Sequence, residues 1–230
     1  MDFILEGFRQ AFHLIISLDQ EVLGITCLSL WVSTVATILS SVVGVPLGFA
    51  IGATQFPGKN FTITFFNTLL SFPTVVVGLL VFAFISRQGP LGFLGILFTP
   101  TAMVIGQFIL AIPIITALTI AAVQGGDRRV RLTALTLGAT RIQTSITVLT
   151  EARFALMAAI IAGFGRVIGE VGSAIMLGGN IRNYTRTFTT AIALETSKGE
   201  FGFAIALGIL LMIVSFAVNI LLRYFQQRGT

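Results

Sequence analysis

The chain reads as an all-α membrane protein with about five transmembrane helices, preceded by an N-terminal amphipathic helix. Three observations predict this. Only 10% of the 230 residues are charged and 55% are hydrophobic, whereas a soluble domain carries about 25% charged residues. Several apolar runs exceed about 18 residues, the length at which a run reads as a spanning helix. One long stretch, residues 125–153, is too polar to cross a bilayer: it carries Arg128, Arg129, Arg131, Arg141 and Arg153 against Asp127 and Glu151.

These quantities also exclude function classes. The length suits a single bundle without a separate soluble domain. The net charge of +5 is read as topology signals and anionic-lipid contacts, so no nucleic acid is expected as a partner. Cys27 is the only cysteine and His13 the only histidine, which leaves no intrachain disulfide frame, thiolate metal site or multi-histidine site. The chain has no Walker lysine motif, metal-ligand cluster or Ser/His/Asp set. It is therefore not expected to be an enzyme or to bind a cofactor or metal itself.

Residues 1–21 form the N-terminal unit. Leu5, Phe8, Phe12, Ile15 and Ile16 recur at helical spacing opposite Glu6, Arg9, Gln10, His13 and Ser17, the pattern of a helix lying in the membrane interface. Asp2 and Glu6 stand where a signal peptide would be basic.

Residues 22–223 form the transmembrane unit. Span one covers 24–52, is dotted with Ser and Thr, and reads as weakened near Gly44, Pro46 and Gly48. Its hydroxyls suit helix packing or a polar path. Pro57-Gly58 make a turn. Spans two (61–85) and three (101–123) contain Pro73 and Pro113, which free backbone carbonyls and permit kinks; such kinks serve either packing or a gate. Span four (154–177) carries Arg166 and Glu170. A polar segment, 178–200, separates it from span five (201–222), and 224–230 form a tail. No internal repeat is evident.

Basic residues in the loops set the orientation. Lys59, the five arginines of 125–153, Arg223 and Arg228 fall on one side; Arg9, Arg87, Arg182, Arg186 and Lys198 fall on the other. Eight against five makes the first side cytoplasmic, with the N-terminus outside and the C-terminus inside.

Within 125–153, Gly125-Gly126 end span three and Asp127 is suited to cap a helix starting at Arg128. Gly138 suits the left-handed position after that helix, and a second amphipathic segment runs from Ala139 toward Arg153. Such a hairpin can enter a groove on a partner or rest on anionic lipid. In span four, Arg166 and Glu170 are four residues apart and can pair. A lone charge at mid-bilayer costs roughly 2.5–3.5 kcal/mol, so neither should face lipid. The pair either locks span four to its neighbours or acts as a gate that meets a passing anion. Arg182 and Arg186, beyond Asn180, have the same spacing and suit an external mouth, where they attract an anion or dock a loaded protein.

The run Ala134-Leu135-Thr136-Leu137-Gly138-Ala139, with Val148 ten positions after Gly138, resembles the Glu-Ala-Ala loop of ABC importer permeases. Leu132 and Thr133 depart from that pattern at its opening Glu-Ala, and Thr150 and Glu151 at its closing Leu-Pro. Ser71-Phe72-Pro73-Thr74-Val75-Val76-Val77-Gly78 and the stretch from Gly163 through Arg166, Glu170 and Gly172 to Asn180 resemble the molybdate and tungstate permeases. The segment 179–196 is most similar to their tungstate branch.

This resemblance implies a fold like the type I ABC importer permeases. It also implies the membrane subunit of an ATP-driven importer in a prokaryotic inner (cytoplasmic) membrane, carrying tungstate or, alternatively, molybdate or sulfate. The partners it implies are a second copy of the chain, two ABC ATPase subunits that hold the ATP and magnesium, an external solute-binding protein and membrane lipid. Arg131, Thr133, Ala134, Gly138, Ala139, Arg141 and Glu151 would then form the ATPase-coupling loop. Pro73, Gly78, Arg166, Glu170 and Gly172 would belong to the path or gate, and Asn180, Arg182 and Arg186 to the external mouth. An ATP-independent channel or a membrane scaffold is the more distant alternative.

Overall fold

The computed structural model describes residues 2–17 and 19–228; Met1, Leu18 and the last two residues of the expected tail lie outside the described residues. Every regular element among the described residues is helical: α1 (Asp2–Ser17), α2 (Gln20–Ala53), α3 (Lys59–Leu69), α4 (Thr74–Ile85), α5 (Pro100–Gly125), α6 (Arg128–Thr136), α7 (Arg141–Glu151), α8 (Arg153–Ile168), α9 (Gly172–Gly178), α10 (Phe188–Lys198) and α11 (Phe201–Arg228), with one 3₁₀ turn at Gly92–Leu94. Three of them, α2, α5 and residues Phe201–Leu221 of α11, are long and apolar enough to cross a membrane unaided. Counting the bent pairs α3–α4 and α7–α8 as one span each brings the number to five.

The bundle is built around α5, which packs against α2, α3, α4, α8 and α9. Its seam with α2 is close because α2 presents small residues there. Ser33, Thr37, Ser40, Gly44 and Gly48 are buried along one stripe, and a Cβ on Gly48 would stand 2.7 Å from the Thr116 carbonyl oxygen. Ser40 Oγ bonds across the seam to the Phe108 carbonyl at 3.1 Å. Gly44, Gly48 and Gly52 form a repeated small-residue motif at four-residue spacing, the pattern that lets membrane helices approach backbone to backbone.

Apolar clusters surround this axis. Val77, Val81 and Ile85 of α4 meet Ala102 and Leu110 of α5 and Leu177 of α9. Val22 and Ile25 of α2 meet Phe188 and Ala191 of α10 and Leu207 and Leu210 of α11. Helix α1 packs on α11 through its smallest side: Gly7 and Ala11 are buried, and Gly7 lies against Ile205. Leu5, Phe8 and Phe12 of the expected interfacial face remain exposed.

Five sequence expectations are corrected here. Span two is not one helix with a kink. It breaks after Leu69, and α4 restarts after Pro73 at 94° to α3. Proline has no N–H, and its ring clashes with the carbonyl four residues back, which is Leu69 here. By contrast, Pro113 and Pro46 sit inside the unbroken α5 and α2, so span one is not interrupted near Gly44–Gly48. Span four stops at Ile168, and a separate short helix follows from Gly172. The polar segment 178–200 contains a full helix, α10, whose Thr187 and Thr190 form a reciprocal cap. The last span also continues helically through the expected tail to Arg228.

Candidate functional site

Three groups of candidate residues emerge, and the first is the α6–α7 hairpin. Asp127 caps α6, its Oδ1 accepting from Arg129 N at 2.8 Å. At the other end Gly138 adopts φ +81°. Gly138 N then donates to the Leu135 carbonyl and Ala139 N to the Ala134 carbonyl, both at 3.0 Å. That paired closure needs a left-handed residue, which glycine supplies without strain. Thr140 and Gln143 form a capping box that starts α7. Arg141 opens α7 and Glu151 closes it, so the structure sets these two candidates at opposite ends of the helix. Thr133, Ala134 and Ala139 meet in an open groove of about 500 Å³, shared with Arg129, Val130, Leu137 and Thr147. Leu137 at its lip is 82% exposed, and Ile142 and Ile146 are also exposed. The hairpin is thus a basic protrusion with unburied apolar residues.

The second group lies at the break between α8 and α9. Arg166 Nη1 pairs with Glu170 Oε2 at 2.9 Å, the two side chains being 42% and 3% exposed. The pair expected from sequence therefore exists, but not on one helix: Glu170 stands in the break, beyond the end of α8. Its other oxygen, Oε1, accepts from Ser173 N at 3.1 Å in the first turn of α9, and its carbonyl accepts from Thr189 Oγ1 at 2.6 Å. One buried residue therefore joins α8, α9 and α10. A carboxylate at a helix N-terminus is favoured by the orphan amides and the dipole there.

Gly172 and Gly78 belong to the same neighbourhood. A Cβ on Gly172 would stand 2.9 Å from Val75 Cγ2, and one on Gly78 2.9 Å from the Ser173 Cα. Pro73 caps α4 about one turn away. The structure thus brings all five path candidates to the α4–α9 crossing and the break beside it.

The outer side of α8 differs from the exposed sides of α4 and α11. Ala155, Ala158, Ala162, Gly165 and Gly169 are exposed at spacings of three and four residues, with Arg166 beside them. No large apolar side chain of α8 is exposed. By contrast, α4 exposes Val75, Leu79, Leu80 and Phe84, and α11 exposes Met212, Ile213, Phe216 and Ile220.

The third group is the turn after α9. Asn180 (φ 51°) and Asn183 (φ 60°) are left-handed there. The Ile181 carbonyl accepts from the amides of Tyr184, Thr185 and Arg186, and Thr185 Oγ1 donates to the Gly178 carbonyl. Asn180 Nδ2 donates to the Thr190 carbonyl at 3.1 Å. Arg182 and Arg186 lie on this turn and not on a helix. Both are held by Glu21 at the start of α2, Arg182 Nη2 to Oε2 at 2.6 Å and Arg186 Nη1 to Oε1 at 2.9 Å. The hydrogen bond that Arg182 donates to Glu21, then the charge of Glu21, pushes the Arg182 pKa further above its ordinary value. One carboxylate thus stands against two guanidiniums, so the cluster is partly compensated and keeps a net positive charge. Glu21 had no signal in the sequence, being about 160 positions from its partners. Ser173 and Thr189 were equally silent.

The sequence model of the family described as binding-protein-dependent transport system inner membrane component matches residues 44–229. The chain is 39% identical over 227 residues to the tungstate uptake system permease protein TupB of Peptoclostridium acidaminophilum, covering 99% of this chain and all of that one. It is 41% identical to TupB of Campylobacter jejuni over 95% of this chain and 92% of the relative. Identity to the molybdenum transport system permease protein ModB of Escherichia coli K12 is 28%, over 82% of this chain and 89% of that protein. Among solved structures, a chain of the MetNI methionine ABC transporter in an inward-facing form superposes with a TM-score of 0.75 at 17% identity, over 93% of this chain and 98% of that chain; it shows the shared fold. With the family matched over most of its length, the protein belongs to the binding-protein-dependent transport system inner membrane components, as a multi-pass transport subunit of ABC importers.

Proposed function

We propose that this chain is the permease of a tungstate importer, and that it works as a homodimer with the path between the two copies. The observation that carries the reading is the α8 face. A guanidinium in the last turn of α8 that is 42% exposed would cost up to roughly 2.5–3.5 kcal/mol against hydrocarbon. It stands among Ala and Gly, where a lipid-facing helix carries the bulky side chains seen on α4 and α11. A water-filled path facing a second copy satisfies both features. Glu170 fixes Arg166 from the buried side and leaves the guanidinium able to meet a passing dianion.

The α6–α7 hairpin of each copy supplies the docking surface for one of two ATPase subunits, which hold the ATP and magnesium; this chain binds no cofactor. Exposed Leu137, Ile142 and Ile146 beside Arg129 and Arg141 suit a groove on such a partner, whereas Arg131 turns back to α2. The turn at Arg182 and Asn183 faces the external binding protein, with the N-terminus outside and the C-terminus cytoplasmic, as the basic-residue asymmetry favours. Tungstate is preferred over molybdate or sulfate because both relatives named for tungstate uptake are 39–41% identical, against 28% for the molybdenum permease.

The test is reconstitution of the complex with its ATPase and binding protein in proteoliposomes. Tungstate-loaded binding protein should stimulate ATP hydrolysis and drive tungstate uptake, and Arg166→Gln should depress uptake while the dimer persists. Uptake without ATP would indicate a channel, and stimulation only by molybdate or sulfate would reassign the substrate.

A further inference from the structure

The C-terminal end of α2 is fastened from two directions. Lys59 Nζ donates to the Gly52 carbonyl at 2.9 Å and the Thr54 carbonyl at 2.8 Å. Arg131 Nη1 donates to the carbonyl between them, that of Ala53, at 3.1 Å. The last carbonyls of a helix lack intrahelical donors and form the negative end of its dipole, so two cations suit them. Lys59 is a local cap, opening α3 a few residues on. Arg131 is not local: it lies on α6, 78 positions from Ala53.

The surroundings of this bond give it a mechanical meaning. Helix α6 packs principally on α7, and its chain connection to α5 passes through Gly125 and Gly126, around which space is open or only loosely filled. The glycines let the hairpin turn relative to α5, while at its other end α7 runs into α8 through Ala152 alone. At the other end of the bond, α2 cannot move alone. Gly44, Gly48 and Gly52 hold its lower half against Ile115, Thr116, Thr119 and Val123 of α5 at distances that leave no room for a side chain at Gly48. A pull on Ala53 therefore displaces α2 and the C-terminal half of α5 as one body, and α5 carries α8 and α9 on its other sides.

We propose that Arg131 is a positioning residue that links the hairpin to α2, so that displacement of α6 moves the α2–α5 pair and, through it, the α8 face. This rests on the reading that an ATPase acts on the hairpin. An arginine suits the task because a cation at a helix C-terminus makes a charge-assisted bond. The bond lies at the protein surface, where it can form and release.

The experiment compares Arg131→Ala, Arg131→Lys and Lys59→Ala in the reconstituted full complex, measuring ATP hydrolysis and oxyanion uptake in the same vesicles. Arg131→Ala should retain ATPase association and hydrolysis but lower uptake per ATP by about fivefold or more, the lower end of ordinary coupling effects. Arg131→Lys should recover most of that ratio, because lysine keeps the cation. Lys59→Ala should leave the ratio unchanged, since it loosens the same helix end without touching the hairpin. An unaltered ratio in Arg131→Ala overturns the link, as does an equal loss in Lys59→Ala. Loss of the ATPase from Arg131→Ala also overturns it, because the arginine would then be a docking contact. Failure of the unsubstituted complex to hydrolyse ATP in response to loaded binding protein would instead sink the importer reading itself.

Discussion

Gly78 of α4 lies directly on Ser173 of α9: a Cβ at position 78 would stand 2.9 Å from the Ser173 Cα. The obstacle is backbone, so no rotamer change relieves it. The two helices would have to separate, opening the cluster of Val77, Val81 and Leu177. Gly78→Val should therefore lower stability by about 1–3 kcal/mol, the ordinary cost of overpacking. Gly24 offers the contrast, because it lies in α2 with nothing within 4 Å of its missing Cβ. Gly24→Ala should leave stability unchanged or raise it by up to about 1 kcal/mol through helix propensity. Thermal unfolding in detergent, followed by the fluorescence of the single Trp31, distinguishes the two. Equal melting of both variants would mean that the α4–α9 crossing is not close-packed.

That crossing also marks the limit of what the sequence could disclose. Local features were legible because short-range chemistry decides them. Asp127 caps α6, Gly138 closes it in the left-handed region, and Arg166 and Glu170 pair. The helix breaks were not, because 70–73 and 169–171 are too short to divide the apolar runs around them, so hydropathy sees one span where the chain makes two helices. Pro73 was read as a kink and proved a terminus, while Pro113 sits in a continuous helix. Only the packing around each proline separates those outcomes. The α2 glycines suggest a weak point, yet they form a seam with α5 too close for a side chain at Gly48, and their four-residue spacing is the signal of it. The Glu21 clamp and the Arg131–Ala53 bond join positions far apart in the chain, and no local pattern announces them.

Gly138 gives the second prediction. Its φ of +81° costs an L-residue with a Cβ roughly 1–2 kcal/mol, and nothing else crowds the position. Strain and not collision is therefore the expected cause of any defect. Asparagine visits the left-handed region more readily than other side chains. Gly138→Asn should thus retain ATPase association and uptake, whereas Gly138→Val should lose both by misdirecting α7 relative to α6. The check is co-purification of the ATPase together with uptake in vesicles. Equal behaviour of the two variants would show that the turn's conformation is not what the partner recognises.

Glu21 gives the third. Its carboxylate holds Arg182 and Arg186, whose side chains are 68% and 14% exposed, and the two arginines should respond differently when it is removed. Exposed ion pairs are weak and screened by salt, so Arg182 gains little from the clamp. Arg186 is largely buried, with its Nε without a partner, and loss of its acceptor leaves a desolvated cation uncompensated. Glu21→Ala should therefore loosen the turn mainly through Arg186. Trypsin, which cuts after arginine, reads this directly in sealed vesicles of known sidedness. Cleavage at 182 and 186 should accelerate in Glu21→Ala, should not be matched by raising salt on the unsubstituted protein, and should occur only where the outer face is accessible. Cleavage from the cytoplasmic side would reverse the proposed topology. An unchanged rate from the outside would mean that the hydrogen bonds centred on Ile181 and Thr185 hold the turn without Glu21.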